Sequence, residues 1–114
     1  ITFELHFNAA SSSAHGYEYL YWNSSSKGRL LADAFLEAQR VEYPGRKSRG
    51  AKPKNSGDRG SQFLSKTHCP AIICEPFFGS NRVEWELYEN DQSKLAESYL
   101  LGIETYQRLL KNNS

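Results

Sequence analysis

Apolar residues recur along this chain with two different periods, which divide it into strands and helices. Ile1-Thr2-Phe3-Glu4-Leu5-His6-Phe7 alternates apolar and polar positions and predicts a strand over about residues 1 to 8. A serine-rich turn follows. Gly16-Tyr17-Glu18-Tyr19-Leu20-Tyr21-Trp22, aromatic and alternating, predicts a second strand. Ser24, Ser25 and Ser26 offer an N-cap for a helix from about Lys27 to Glu42. Its stripe of Leu30, Leu31, Ala34, Phe35 and Ala38 falls on one face, and Pro44-Gly45 ends it. Residues 45 to 62 have no periodicity and read as a long loop, followed by a short segment Gln62-Phe63-Leu64. Pro70-Ala71-Ile72-Ile73-Cys74-Glu75 is a continuous apolar run stopped by Pro76, the pattern of a central parallel strand covered on both faces. A last helix is expected from about Asp91 to Asn112, with Leu95, Tyr99, Ile103, Tyr106 and Leu110 on one stripe. Asp91 is its N-cap, and Lys111 suits its C-terminal end. Alternating strands and helices predict a three-layer α/β/α fold with a mostly parallel sheet, in one domain over residues 1 to 114.

Composition narrows the picture. Hydrophobic residues at 39% and charged residues at 24% suit a packed globular chain rather than disorder. No apolar run approaches the roughly 18 residues a membrane helix needs. The chain contains no methionine and opens directly on a strand, so further sequence is expected before Ile1. Net charge is only +1, yet from Gly45 to Gly60 the residues Arg46, Lys47, Arg49, Lys52, Lys54 and Arg59 face a single Asp58. Such a stretch either attracts acidic ligands or is simply a solvated loop. It carries no aromatic residue for base stacking, which argues against nucleic acid. Cys69 and Cys74 lie five positions apart, on opposite faces of an extended segment. They are expected to be two small buried thiols rather than a disulfide.

Two polar residues stand at the ends of apolar strands. His6 lies where the first strand gives way to its loop, and Glu75 closes the most hydrophobic segment. In open α/β sheets, ligands bind beyond the carboxyl ends of the strands, so both residues are expected on one rim. A glutamate after Ala-Ile-Ile-Cys is costly to bury uncompensated, and a nearby metal or cation offsets that cost. Histidine is a common neutral metal ligand, and glutamate serves as base in zinc hydrolysis. The plainer alternative is a satisfied core histidine and a salt-bridged structural glutamate. His15 and His68 read as structural or exposed. Trp22 and Trp85 either pack or stack on sugar.

Several motifs in order carry a resemblance. Leu5-His6-Phe7-Asn8-Ala9 is similar to the Leu-His-x-Asn-Ala motif of the zinc-dependent N-acetylmuramoyl-L-alanine amidases. Gly16-Tyr17-Glu18-Tyr19 resembles the Gly-x-Glu-aromatic strand that follows it there, Leu30-Leu31-Ala32 its Leu-Ala segment, and Ser48-Arg49-Gly50-Ala51-Lys52 its Asn-Arg-Gly-Val-Lys stretch. The run from Phe63 to Asn81, with Thr67, Pro70-Ala71-Ile72-Ile73-Cys74-Glu75 and Ser80-Asn81, resembles the family's Leu-x-x-Thr-x-x-Pro-Ala-Val-Leu-Val-Glu-x-Gly-Phe-x-Ser-Asn signature. Pro76-Phe77-Phe78 departs from its Leu-Gly-Phe.

The resemblance implies a phosphorylase/hydrolase-like α/β/α fold with its N-terminal part missing. It implies His6 as a zinc ligand, Glu75 as the catalytic residue and zinc as the cofactor. Peptidoglycan becomes the partner, cut between N-acetylmuramic acid and the L-alanine of the stem peptide, with Arg49 and Arg59 the expected contacts to stem-peptide carboxylates. The place of action is then the cell wall, as a periplasmic or secreted enzyme or a phage lysin. The family's first zinc histidine, in an Asp-Pro-Gly-His-Gly-Gly loop, and its zinc glutamate have no counterpart here. A metal-free remnant that binds the wall or regulates is therefore the alternative, and a zinc carboxypeptidase-like peptidase a further one. The first strand's open edge leads to an expectation of self-association or of pairing with an upstream fragment.

Overall fold

A computed structural model describes residues 1–112; the end of the polar tail, Asn113 and Ser114, lies outside the described residues. In chain order the elements are β1 (Thr2–Leu5), β2 (Tyr17–Trp22), α1 (Ser26–Glu42), β3 (Ser48–Lys54), α2 (Ser61–Lys66), β4 (Ala71–Glu75), α3 (Arg82–Asn90) and α4 (Gln92–Asn112). The strands form one sheet in the order β1-β4-β2-β3. β1 runs parallel to β4 and β2 parallel to β3, while β2 and β4 are antiparallel. The sheet is therefore mixed, with two of its three pairings parallel.

Burial explains the layers. Every residue of β4 is buried, as its unbroken apolar run requires of a strand covered on both faces. β2 sorts its side chains by parity. Tyr17, Tyr19 and Tyr21 join Ile72 and Cys74 under α1, with Tyr106 of α4, in the larger core. Leu20 joins Ala71, Ile73 and Leu64 of α2 on the opposite face, with Trp22 and Phe63 packed against them. Ser25 caps α1, its Oγ accepting from the Gly28 amide at 2.9 Å, as the serine run predicts. The close packing of α1 on α4 depends on Gly102, where an added Cβ would come 2.6 Å from a Phe35 ring carbon.

The structure corrects three expectations. The stretch read as a loop contains β3, an edge strand. Its Lys, Arg and Pro composition hides a period-two signal, yet those residues suit an edge: Pro53 needs no ladder donor on the open side, and charge discourages further pairing. A helix, α3, was not expected before Asp91. It exposes Val83 and Leu87 while burying Glu84 and Tyr88, so its apolar pattern is inverted. Asp91 does cap the last helix, its Oδ1 accepting from the Lys94 amide at 3.2 Å. Finally, both cysteines are free thiols, but Cys69 is exposed and only Cys74 is buried. No helix among the described residues is long and apolar enough to cross a membrane.

Candidate active site

The parallel β1–β4 pair ends on one rim. Its register couples Leu5 to Cys74, and the His6 amide donates to the Cys74 carbonyl at 2.9 Å, so His6 stands beside Glu75. From the other side, the antiparallel pairing sets Glu18 directly opposite Glu75. Strand alternation then turns His6, Glu18 and Glu75 toward the face that carries Leu20 and Ile73. Only the strand order makes this cluster; the three residues come from three segments of the sequence.

Glu75 is only 5% exposed, and its Oε2 has no hydrogen-bond partner among the described residues. A buried carboxylate oxygen left so is expensive. Burial accordingly pushes the Glu75 pKa up, and Glu18 pushes it further, while Arg59, His6 and Lys54 pull against them. His6 is exposed, and its Nε2 lies 3.0 Å from Glu4 Oε1, a surface contact of small energetic worth. Glu18 is held in place from two sides. The Asn8 side-chain Nδ2 donates to its Oε1, and Arg49 Nε lies 3.7 Å from its Oε2.

The two arginines of the basic stretch are thereby distinguished. Arg49 is engaged, paired with Glu18 and with its guanidinium 5.0 Å from the centre of the Phe78 ring. Arg59 is exposed and lines a cavity of ≈490 Å³ with Leu5, His6, Phe7, Pro76 and Phe77. His15 is exposed and its Nδ1 lies 3.1 Å from the Ser13 carbonyl, while His68 is exposed beside Ser25, Lys27 and Pro70. Among the described residues, no three His, Cys, Asp or Glu side chains are grouped to hold a metal ion.

Sequence reasoning missed two polar assemblies that build this rim. Glu84, 1% exposed, accepts from the Gly16 amide at 3.1 Å, the Phe78 amide at 2.9 Å and Arg46 Nη2 at 3.0 Å. It thus ties the start of β2, the segment after β4 and the approach to β3 to the first turn of α3. The available signal was Asn81-Arg82-Val83-Glu84, a capping-box spacing, although the carboxylate reaches past its own helix. Gln39 donates to the Pro76 carbonyl at 3.0 Å and to the Tyr88 hydroxyl at 2.8 Å, and accepts from the Tyr19 hydroxyl. Its signal was a glutamine four residues after Phe35, on the buried stripe of α1.

Comparison with known proteins places this arrangement. The family profile described as N-acetylmuramoyl-L-alanine amidase (Amidase_3) matches residues 1–105. No curated protein sequence matches at a significant level. Among solved structures, the chain is similar to an N-acetylmuramoyl-L-alanine amidase from Clostridium difficile 630, at 26% identity and TM-score 0.79, covering 93% of this chain and 56% of that one. It also resembles the CwlD amidase from Clostridioides difficile in complex with the GerS lipoprotein, at 20% identity and TM-score 0.79, covering 94% and 54%. The catalytic domain of CwlV, an amidase from Bacillus (Paenibacillus) polymyxa var. colistinus, is similar at 24% identity and TM-score 0.76, covering 93% and 56%. The chain thus spans about half the length of the solved structures it matches.

Proposed function

The chain belongs to the N-acetylmuramoyl-L-alanine amidase family, and from that membership we propose that it acts on peptidoglycan, with Glu75 as the group that moves the proton. One observation carries the reading: a buried carboxylate with an unpartnered oxygen, at a strand end beside His6. The bond cut is the amide joining N-acetylmuramic acid to L-alanine. Water adds to the amide carbonyl, forming the new C–O bond, and Glu75 accepts the proton that water gives up. Breaking the C–N bond then leaves an amine, to which Glu75 returns the proton. The raised pKa of Glu75 suits a group that must hold a proton between the two steps. Arg59, exposed in the cavity beside His6, is proposed to receive a stem-peptide carboxylate. Arg49, fixed by Glu18, supplies a second positive charge to the rim. The proposed place of action is the cell wall.

Zinc is the metal the family resemblance implies, and when bound it polarises a carbonyl and acidifies water. His6 is the residue proposed to hold it. A catalytic zinc takes about three protein ligands, so the described residues do not by themselves fit the metal. The alternative reading is a metal-free member that binds the wall without cutting it. Zinc content per chain, measured alongside release of L-alanine amino termini from purified sacculi, decides between them. Bound zinc with new amino termini supports the amidase. Neither zinc nor release supports the binding module.

A further inference from the structure

We propose that the rim beside His6 and Glu75 carries a saccharide subsite, in which Phe7 and Trp85 stack against the apolar face of an N-acetylhexosamine ring. The inference rests on the amidase reading, which brings the glycan strand within one sugar of the scissile amide.

Phe7 is 54% exposed and Trp85 39%, yet neither ring is loose. Their centroids lie 5.6 Å apart, edge to face, and Phe77 sits 6.1 Å from Phe7 and 6.0 Å from Trp85. Behind Phe77, Tyr88 stacks at 4.7 Å. Beneath Phe7 lies Gly79, where an added Cβ would come 2.4 Å from the ring. The phenyl therefore rests on bare backbone, a close approach that needs glycine. Half-exposed aromatic rings fixed in advance lose little freedom when a ligand stacks on them. Phe77 stands where the family signature has glycine, so the cluster is a departure made by this chain.

The polar surroundings point to a sugar rather than an apolar ligand. A cavity of ≈630 Å³ is lined by Phe7 and Trp85 together with Ser80, Arg82, Glu86 and Glu89. Arg82 and Glu86 pair there at 3.0 Å. A pyranose presents a C–H face to the rings while its hydroxyl and acetamido edge meets charged donors and acceptors; an apolar molecule would strip water from those groups and return nothing. Phe7 also lines the ≈490 Å³ cavity that holds His6 and Arg59, so the two spaces adjoin.

The test is calorimetric titration of the intact chain with the β-1,4-linked tetramer of N-acetylglucosamine, which contains no peptide and no amide for this enzyme to cut. Saturable binding is expected, weakened about tenfold or more by Trp85→Ala and by Phe7→Ala. Trp85→Phe should keep most of it, and Trp22→Phe, packed against the Leu20 cluster at the far end of β2 from Glu18 and Glu75, all of it. An inert wild type overturns the proposal, as does equal affinity in both alanine variants. Sacculus digestion is read separately. Release of L-alanine amino termini without tetramer binding removes the sugar site and keeps the amidase; binding lost in both alanine variants, without such release, does the reverse.

Discussion

Glu75 and Glu84 are carboxylates buried to nearly the same degree, at 5% and 1% exposure, in regions that treat them in opposite ways. At the start of α3, Glu84 accepts from two backbone amides and from Arg46, so both of its oxygens are engaged. At the end of β4, Glu75 keeps an oxygen with no partner and faces a second carboxylate, Glu18, across the strand pair. Burial alone does not separate the two. What separates them is whether folding has compensated the charge. The compensated group holds the rim together, and the uncompensated one is the group proposed to exchange a proton.

The two carboxylates should differ most in turnover. On the proposed function, Glu75→Gln should reduce release of L-alanine amino termini from sacculi by about 10²–10⁴-fold, the range for losing an acid–base group. Its resistance to urea should not fall, since an amide of the same shape removes a buried charge. Glu84→Ala should behave the other way. It strands the Gly16 and Phe78 amides and unpairs Arg46, and is expected to cost about 3 kcal/mol in denaturant unfolding. The figure stays at the lower end for a buried pair because the Arg46 side chain keeps 31% exposure. A Glu84→Ala variant of unchanged stability, or a Glu75→Gln variant of unchanged rate, would erase the distinction.

Gln39 should give a smaller effect. Gln39→Leu keeps the helix and roughly the volume but leaves the Tyr19 and Tyr88 hydroxyls and the Pro76 carbonyl without their partner. A loss of about 2 kcal/mol is expected from the buried groups so orphaned. Because Gln39 anchors the residue that follows Glu75, the proposed turnover should fall as well, though by less than in Glu75→Gln. A calorimetric melting curve beside a sacculus assay reads both.

The sequence made the elements with strong periods legible. α1 matched its stripe and its Ser25 cap, β2 its aromatic alternation, β4 its apolar run, and the meeting of His6 and Glu75 on one rim followed from two strand ends. What escaped was decided by partners outside the local window. β3 is a strand because β2 offers it a ladder, and no alternation in Ser-Arg-Gly-Ala-Lys-Pro-Lys announces that. α3 buries a glutamate and exposes a valine because Gly16, Phe78 and Arg46 converge on one carboxylate. Glu18 belongs to the site only through an antiparallel register, which single-strand patterns do not encode. Polar contacts made across sheet order are invisible to periodicity, and they are what shapes this rim.

The smallest effect tests the charge of Glu75 directly, through the pH dependence of stability. Burial first, and Glu18 next, raise its folded pKa above the ordinary 4.5. Between the unfolded and folded values, the native state therefore binds more protons than the unfolded chain, and stability must fall as pH rises through that interval. The contribution is fully present below the unfolded pKa and is lost once the pH passes the folded one, where the native state carries an anion that the unfolded chain leaves in water. Glu75→Gln has no proton to lose, so its curve lacks this fall. Urea midpoints of wild type and variant, measured between about pH 4 and 8, should show the variant gaining on the wild type as pH rises and then holding a constant lead. A difference that is flat, or that moves toward the wild type, would mean that the cations Arg59, His6 and Lys54 outweigh burial and Glu18. Glu75 would then be a compensated charge like Glu84, and the contrast on which its proposed role as proton carrier rests would disappear.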